Sequence, residues 1–184
     1  MHTKAVYRAA QGLVEAGVAA LRFNFRGVGA STGSHGGGVG EREDALAALD
    51  WLGARYAGLP LVAGGFSFGS MVGLAVGAAD PRVVALLGIG LPVERAERYD
   101  YSFLARVPKP VLVVQGEDDE FGSGERAGAH LAPLGSHITL VRVAGADHYF
   151  TGRLDELKEA VREYFAAGPG AAALAGLPQG GSHA

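Results

Sequence analysis

The chain has 184 residues, a length that suits one domain with a sizeable core, and 48 % of its residues are hydrophobic. A formal net charge of −3, with no Lys/Arg cluster, argues against nucleic-acid binding, and no stretch approaches the roughly 20 uninterrupted apolar residues of a membrane span. Cysteine is absent, which excludes disulfides, thiolate metal sites and a cysteine nucleophile.

Residues 4–16 place Val6, Ala9, Ala10, Leu13 and Val14 on one helical face, and Gly17 is suited to end that helix. Residues 18–25 read as a strand, followed by a Gly-rich loop over 26–40. Ala45, Leu46, Leu49 and Leu52 recur at helical spacing within a second helix from Glu41 to Tyr56. An apolar strand over 60–66 leads into a small-residue helix that runs to about Ala79, and Asp80-Pro81 breaks it. The unbroken apolar run from Val83 to Leu91 predicts a buried strand. Residues 92–109 are polar and irregular, the one segment in the chain suited to a short lid. Val111–Val114 predicts a further strand, followed by a helix around 123–134, a strand at 137–143 and a last helix from Asp155 to Ala166. The Gly/Ala/Pro-rich stretch 168–184 is expected to be a disordered tail beyond a single domain of residues 1–167. The N-terminus lacks a signal-peptide apolar region, so a cytoplasmic location is the expectation.

Strands alternating with helices imply a mostly parallel, doubly wound α/β sheet of about five strands with right-handed crossovers. In such sheets ligands bind beyond the carboxyl ends of the strands. Three strand ends carry chemistry in this chain. The first is Gly65-Phe66-Ser67-Phe68-Gly69, a G-x-S-x-G pattern between a strand and a helix, the context in which the serine is a nucleophile on a strained turn. Cβ atoms at the two flanking glycines are expected to clash with neighbouring chain. A second match, Gly29-Ala30-Ser31-Thr32-Gly33, is followed by a loop and not a helix, so Ser31 reads as a loop serine.

A serine hydroxyl needs a base, and histidine titrates near working pH. His148, just after the strand at 137–143, is the one histidine at a late strand end; His35 lies in the Gly-rich loop and reads as solvated. A carboxylate must fix the histidine tautomer, and Glu117, Asp118, Asp119 and Glu120 follow the strand at 111–114. The chain order Ser…Asp…His is that expected of the α/β-hydrolase arrangement, in which the N–H of the residue after the nucleophile, here Phe68, donates to the oxyanion.

The segments Arg22–Ser31, Gly65–Gly69, Gly116–Glu120 and Asp147–Phe150 together resemble the small α/β-hydrolases related to dienelactone hydrolase, over about residues 3–165. The resemblance implies Ser67 as nucleophile, Asp119 rather than Asp118 as acid, His148 as base, hydrolysis of small carboxylic esters, and no cofactor or metal. A thioesterase or lactonase using the same three residues is the nearest alternative. A homodimer stays open, and neither a nucleic-acid nor a membrane partner is implied. Family members carry further strands upstream, including one between those matching 19–25 and 60–66, whose following loop gives a second oxyanion donor. An α/β-hydrolase fold truncated at its N-terminus is therefore expected, with Met1 an internal methionine of a longer polypeptide. The segments 19–25 and 60–66 are expected either to pair directly or to stand apart, and a catalytically impaired scaffold is the non-enzyme alternative.

Overall fold

A parallel sheet covered on both faces needs central strands that are apolar on both sides, and the runs 83–89 and 111–114 supply them. The computed structural model describes residues 3–95 and 99–176. Its elements are α1 (Lys4–Glu15), α2 (Val39–Arg55), β1 (Leu61–Phe66), α3 (Phe68–Ala79), β2 (Val83–Ile89), β3 (Val111–Gly116), α4 (Gly124–Leu131), β4 (Ile138–Val143), α5 (Leu154–Ala166) and α6 (Pro169–Ala175), with short 3₁₀ turns at Val93–Arg95, Ser102–Arg106 and Ala132–Leu134. The strands pair in parallel in the order β1-β2-β3-β4. Every residue of β3 is buried, as is all of β2 except Val84. One face carries a core of Leu49, Leu74, Leu86, Leu104 and Val113 under α2, α3, α4 and the 99–107 segment. The other carries Ala9, Leu87, Leu112, Leu157 and Phe165 under α1, α5 and α6.

Three expectations change. Among the described residues the sheet has four strands, not about five, because residues 18–25 pair with nothing in the sheet. A strand is defined by a hydrogen-bonded neighbour, and a cleft of about 630 Å³ parts this segment from β1. Its apolar walls include Val6, Leu13, Ala20, Leu52, Leu87 and Phe165. Of the two alternatives, the segments stand apart. The described part of 92–109 is not wholly the polar, irregular stretch expected: Tyr99, Tyr101, Leu104 and Val107 are buried between exposed neighbours, and two 3₁₀ turns run through it. Helix α6 stands where a disordered tail was expected, with Ala173 and Leu174 packed on the core; residues 177–184 lie outside the described residues. Small side chains suffice for α6 because it needs only to close over the end of α5, where a Cβ on Gly170 would press on the rings of Tyr164 and Phe165.

Helix α3 lies unusually close to β1. A Cβ on Gly73 would overlap the Gly64 carbonyl, and one on Gly77 would meet Ala63 and Leu86. The far end of α3 is closed by Lys109, whose Nζ donates to the carbonyls of Gly77 (2.7 Å), Ala78 (3.1 Å) and Asp80 (2.7 Å) and so satisfies carbonyls left without helical partners. The Asp80 carboxylate accepts from the Arg82 guanidinium, with 2.9 Å from Nε to Oδ1, and this pairing holds its pKa below the ordinary carboxylate value.

Two outcomes follow. Gly73→Ala should destabilise the protein by about 1–3 kcal/mol, because backbone must move to admit the methyl; the midpoint of urea unfolding measures it. Because the folded state depresses the Asp80 pKa, its contribution is complete above about pH 4 and is lost as pH falls below that. Asp80→Asn should therefore be less stable than wild type at pH 7, and should lose less further stability on going to pH 3.5, in paired urea melts.

Candidate active site

Ser67 sits between β1 and α3 with φ 53° and ψ −123°, a conformation that non-glycine residues rarely adopt. Two local features permit it. A Cβ on Gly65 would overlap the Gly69 carbonyl, so only glycine allows the chain to reverse there. Gly69 differs from expectation: a Cβ there would sit 3.7 Å from the Phe25 ring, an ordinary contact, so only the first glycine of the motif is sterically required. The Ser67 N–H donates to Ile89 O at 2.9 Å, which continues the β1–β2 ladder into the turn.

His148 stands at the end of β4. Its Nε2 lies 3.0 Å from Ser67 Oγ and its Nδ1 lies 2.8 Å from Asp119 Oδ2. His148 and Asp119 are both 2 % exposed, whereas Ser67 is half-buried and reachable from solvent. Asp118 is exposed, so among the consecutive acids it is Asp119 that points inward to the histidine. The imidazole is boxed by the rings of Phe66, Phe121 and Tyr149, with centroids 4.8, 4.7 and 5.2 Å away. Its loop is held by Asp147, whose Oδ1 accepts from the N–H groups of Tyr149 (3.0 Å) and Thr151 (2.8 Å). These backbone N–H bonds, together with the Thr151 side chain, hold the Asp147 pKa below its ordinary value.

Three further residues, to none of which the sequence assigned a role, complete this arrangement. Gln115, fully buried at the end of β3, donates from Nε2 to Asp119 Oδ2 (2.9 Å) and Gly122 O (2.6 Å), while its Oε1 accepts from Leu91 N–H at 2.8 Å. The second carboxylate oxygen of Asp119 accepts from Phe121 N–H at 2.8 Å. Gly116 lets the Asp119 and His148 loops meet, since a Cβ there would overlap the Ala146 carbonyl. Gly90, at φ 55°, leaves room for the imidazole: a Cβ there would lie 3.3 Å from His148 Cε1 and 3.0 Å from the Phe66 ring. A polar residue closing an otherwise apolar strand was the legible signal for Gln115; Gly116 was marked as the first residue of the Gly116–Glu120 motif, whereas Gly90 carries no mark that separates it from the other glycines.

The other G-x-S-x-G serine lies elsewhere. Ser31 donates to its own loop, from Oγ to Asn24 O at 3.2 Å, inside a turn closed by Ser31 N–H to Val28 O. That loop is clamped to α2 by Arg26, which forks onto Asp44 (Nη2 to Oδ1, 2.7 Å), and by the buried Glu41, which accepts from Gly36 and Gly38 N–H. These two backbone bonds hold the Glu41 pKa below its ordinary value. His35 is exposed yet not free: its Nδ1 pairs with Glu41 Oε1 at 2.8 Å, and its ring packs on Phe68. Among the described residues no group of three or more His, Asp and Glu side chains is placed to hold a metal ion, and no helix is long and apolar enough to cross a membrane.

The family model described as an alpha/beta hydrolase domain matches residues 1–164. The chain belongs to this family. An uncharacterized protein of Rickettsia prowazekii (strain Madrid E) is 39 % identical to this hydrolase-family chain over 171 residues, 89 % of this chain and 71 % of the relative. Among solved structures, an alpha-beta serine hydrolase homologue from Coxiella burnetii is 37 % identical with a TM-score of 0.82, covering 90 % of this chain and 78 % of that one. A serine hydrolase without lid from Xanthomonas campestris is 34 % identical with a TM-score of 0.80, covering 97 % and 77 %.

Gln115→Leu in this α/β-hydrolase domain should leave the Leu91 N–H and one Asp119 oxygen short of a partner. The expected cost is about 2–4 kcal/mol, read from the unfolding midpoint.

Proposed function

We propose that this chain is a serine hydrolase that cleaves small carboxylic esters through an acyl-enzyme. The membership of the α/β-hydrolase family and the two serine hydrolase neighbours support hydrolysis as the reaction class. The observation that carries the reading is the unbroken line Ser67 Oγ, His148 Nε2, His148 Nδ1, Asp119 Oδ2, with steps of 3.0 and 2.8 Å. In this reading His148 takes the Ser67 proton as Oγ attacks the ester carbonyl, and Asp119 stabilises the imidazolium that forms. The oxyanion accepts from Phe68 N–H, one of the orphan donors of the first turn of α3. Collapse of the tetrahedral species expels the alcohol, which leaves with the proton from His148. Water, deprotonated by His148 in turn, then attacks the acyl carbon, releasing the acid and restoring Ser67. The closer relation to dienelactone hydrolase belongs to the same proposal and rests on the motifs at 22–31, 65–69, 116–120 and 147–150. The shortness of the 92–109 segment, the one lid candidate in the sequence, favours small substrates.

A fluorophosphonate probe tests the assignment, since Ser67 Oγ would displace fluoride from phosphorus and keep the label. Labelling should vanish in Ser67→Ala, persist in Ser31→Ala, and fall at least about a hundredfold in His148→Ala. Undiminished labelling of a folded Ser67→Ala protein would remove Ser67 from the role.

A further inference from the structure

Beneath the elbow lies a polar pair that the reaction described above does not use. Ser70, one turn into α3, and Tyr101, from the segment between β2 and β3, are both 0 % exposed. Ser70 Oγ lies 2.6 Å from the Ser67 carbonyl oxygen and 2.9 Å from Tyr101 Oη. The direction of the chain follows from counting hydrogens. A carbonyl can only accept, so the single Ser70 hydroxyl hydrogen goes to Ser67 O, and Tyr101 must donate its own to Ser70 Oγ. Burial pushes the Tyr101 phenol well above its ordinary value, which keeps that donor protonated. The same Ser67 carbonyl also accepts from Ser70 N–H at 2.9 Å. Tyr101 is itself seated firmly: its carbonyl accepts from Leu104 N–H at 3.0 Å, and Asp100 beside it accepts from Ser102 N–H at 2.8 Å to start the 3₁₀ turn.

The Ser67 carbonyl and the Phe68 N–H belong to one peptide unit. A trans peptide is planar, so fixing the C=O direction fixes the N–H in the opposite direction. Hydrogen bonds accepted by the carbonyl also polarise the amide and make its N–H a stronger donor. We propose that Tyr101, acting through Ser70, is a positioning residue that aims and polarises the Phe68 N–H toward the oxyanion. This rests on the reading of Ser67 as nucleophile. It gives the 99–107 segment a part in the chemistry exerted from below the elbow, by a side chain that never meets substrate.

The test is the time course of fluorophosphonate labelling on the full chain, resolved into a limiting rate and a half-saturation concentration. It is run at a temperature where thermal melts show every variant folded. Losing an oxyanion donor outright costs roughly 100- to 1,000-fold, so loosening one should cost less. Tyr101→Phe is expected to lower the limiting rate about tenfold and to leave half-saturation within about twofold. Because Tyr101 acts through Ser70, the double variant Tyr101→Phe/Ser70→Ala should be no slower than Ser70→Ala alone. A limiting rate unchanged in folded Tyr101→Phe, or losses that multiply in the double variant, would overturn the proposal. If Tyr101→Phe does not fold, Ser70→Ala carries the same rate test with the same two outcomes. Labelling that survives Ser67→Ala overturns the reading of the nucleophile and this inference together, whereas normal Ser67-dependent labelling that ignores Tyr101 overturns this inference alone.

Discussion

Ser67 occupies a backbone conformation that costs on the order of 1–3 kcal/mol for a residue with a side chain, and it persists only because its surroundings leave no alternative. Upstream, β1 is tied into the sheet through β2, and the ladder continues to the Ser67 N–H itself. Downstream, α3 begins at once and is drawn against β1 so tightly that Gly64 and Gly73 touch backbone to backbone. Ser70 then holds the Ser67 carbonyl by two bonds. Sheet, helix and carbonyl clamp each remove one way for the turn to relax, and together they keep Oγ at the carboxyl end of the sheet.

The histidine side is built on a different principle. His148 and Asp119 lie on loops, and loops are positioned by what fills the space between them. Here that is a buried amide, Gln115, and two glycines whose missing side chains let ring and backbone come close. Gln115 reaches Asp119, Gly122 and Leu91 at once, so it joins the ends of β2 and β3 to the carboxylate that faces the imidazole. The aromatic box of Phe66, Phe121 and Tyr149 limits the ring to one seat, and Phe66 ties that seat back to β1. The two sides of the site thus share an element next to Ser67 itself.

Much of this was legible in the sequence, for identifiable reasons. Apolar periodicity placed α1, α2, β1, α3 and α5 to within a residue or two, and the rule that parallel sheets carry ligands at their carboxyl ends brought Ser67, Asp119 and His148 onto one edge. Strand–helix context also told Ser67 from Ser31, which the bare pattern could not do. What periodicity cannot report is pairing. Ala19–Phe25 has the composition of a strand, yet strand character is settled by a neighbour, and none is hydrogen-bonded to it in the sheet. Polarity was likewise a poor guide to burial in 92–109, because the arginines and glutamates there obscured the inward set of Tyr99, Tyr101, Leu104 and Val107. The role of Gln115 is a matter of three-dimensional reach, and no linear spacing encodes it.

The site is also unevenly spaced along the chain. Asp119 and His148 are 29 residues apart, whereas Ser67 and His148 are 81 apart. Loop-closure entropy makes the longer contact about 0.9 kcal/mol harder to form, other things being equal. The carboxylate–imidazole pair needs only β3 and β4 side by side, but Ser67 meets the imidazole only once β1, β2, β3 and β4 have all joined in register. The Ser67–His148 hydrogen bond therefore spans the whole sheet, and a partly assembled chain can possess the pair without possessing the contact.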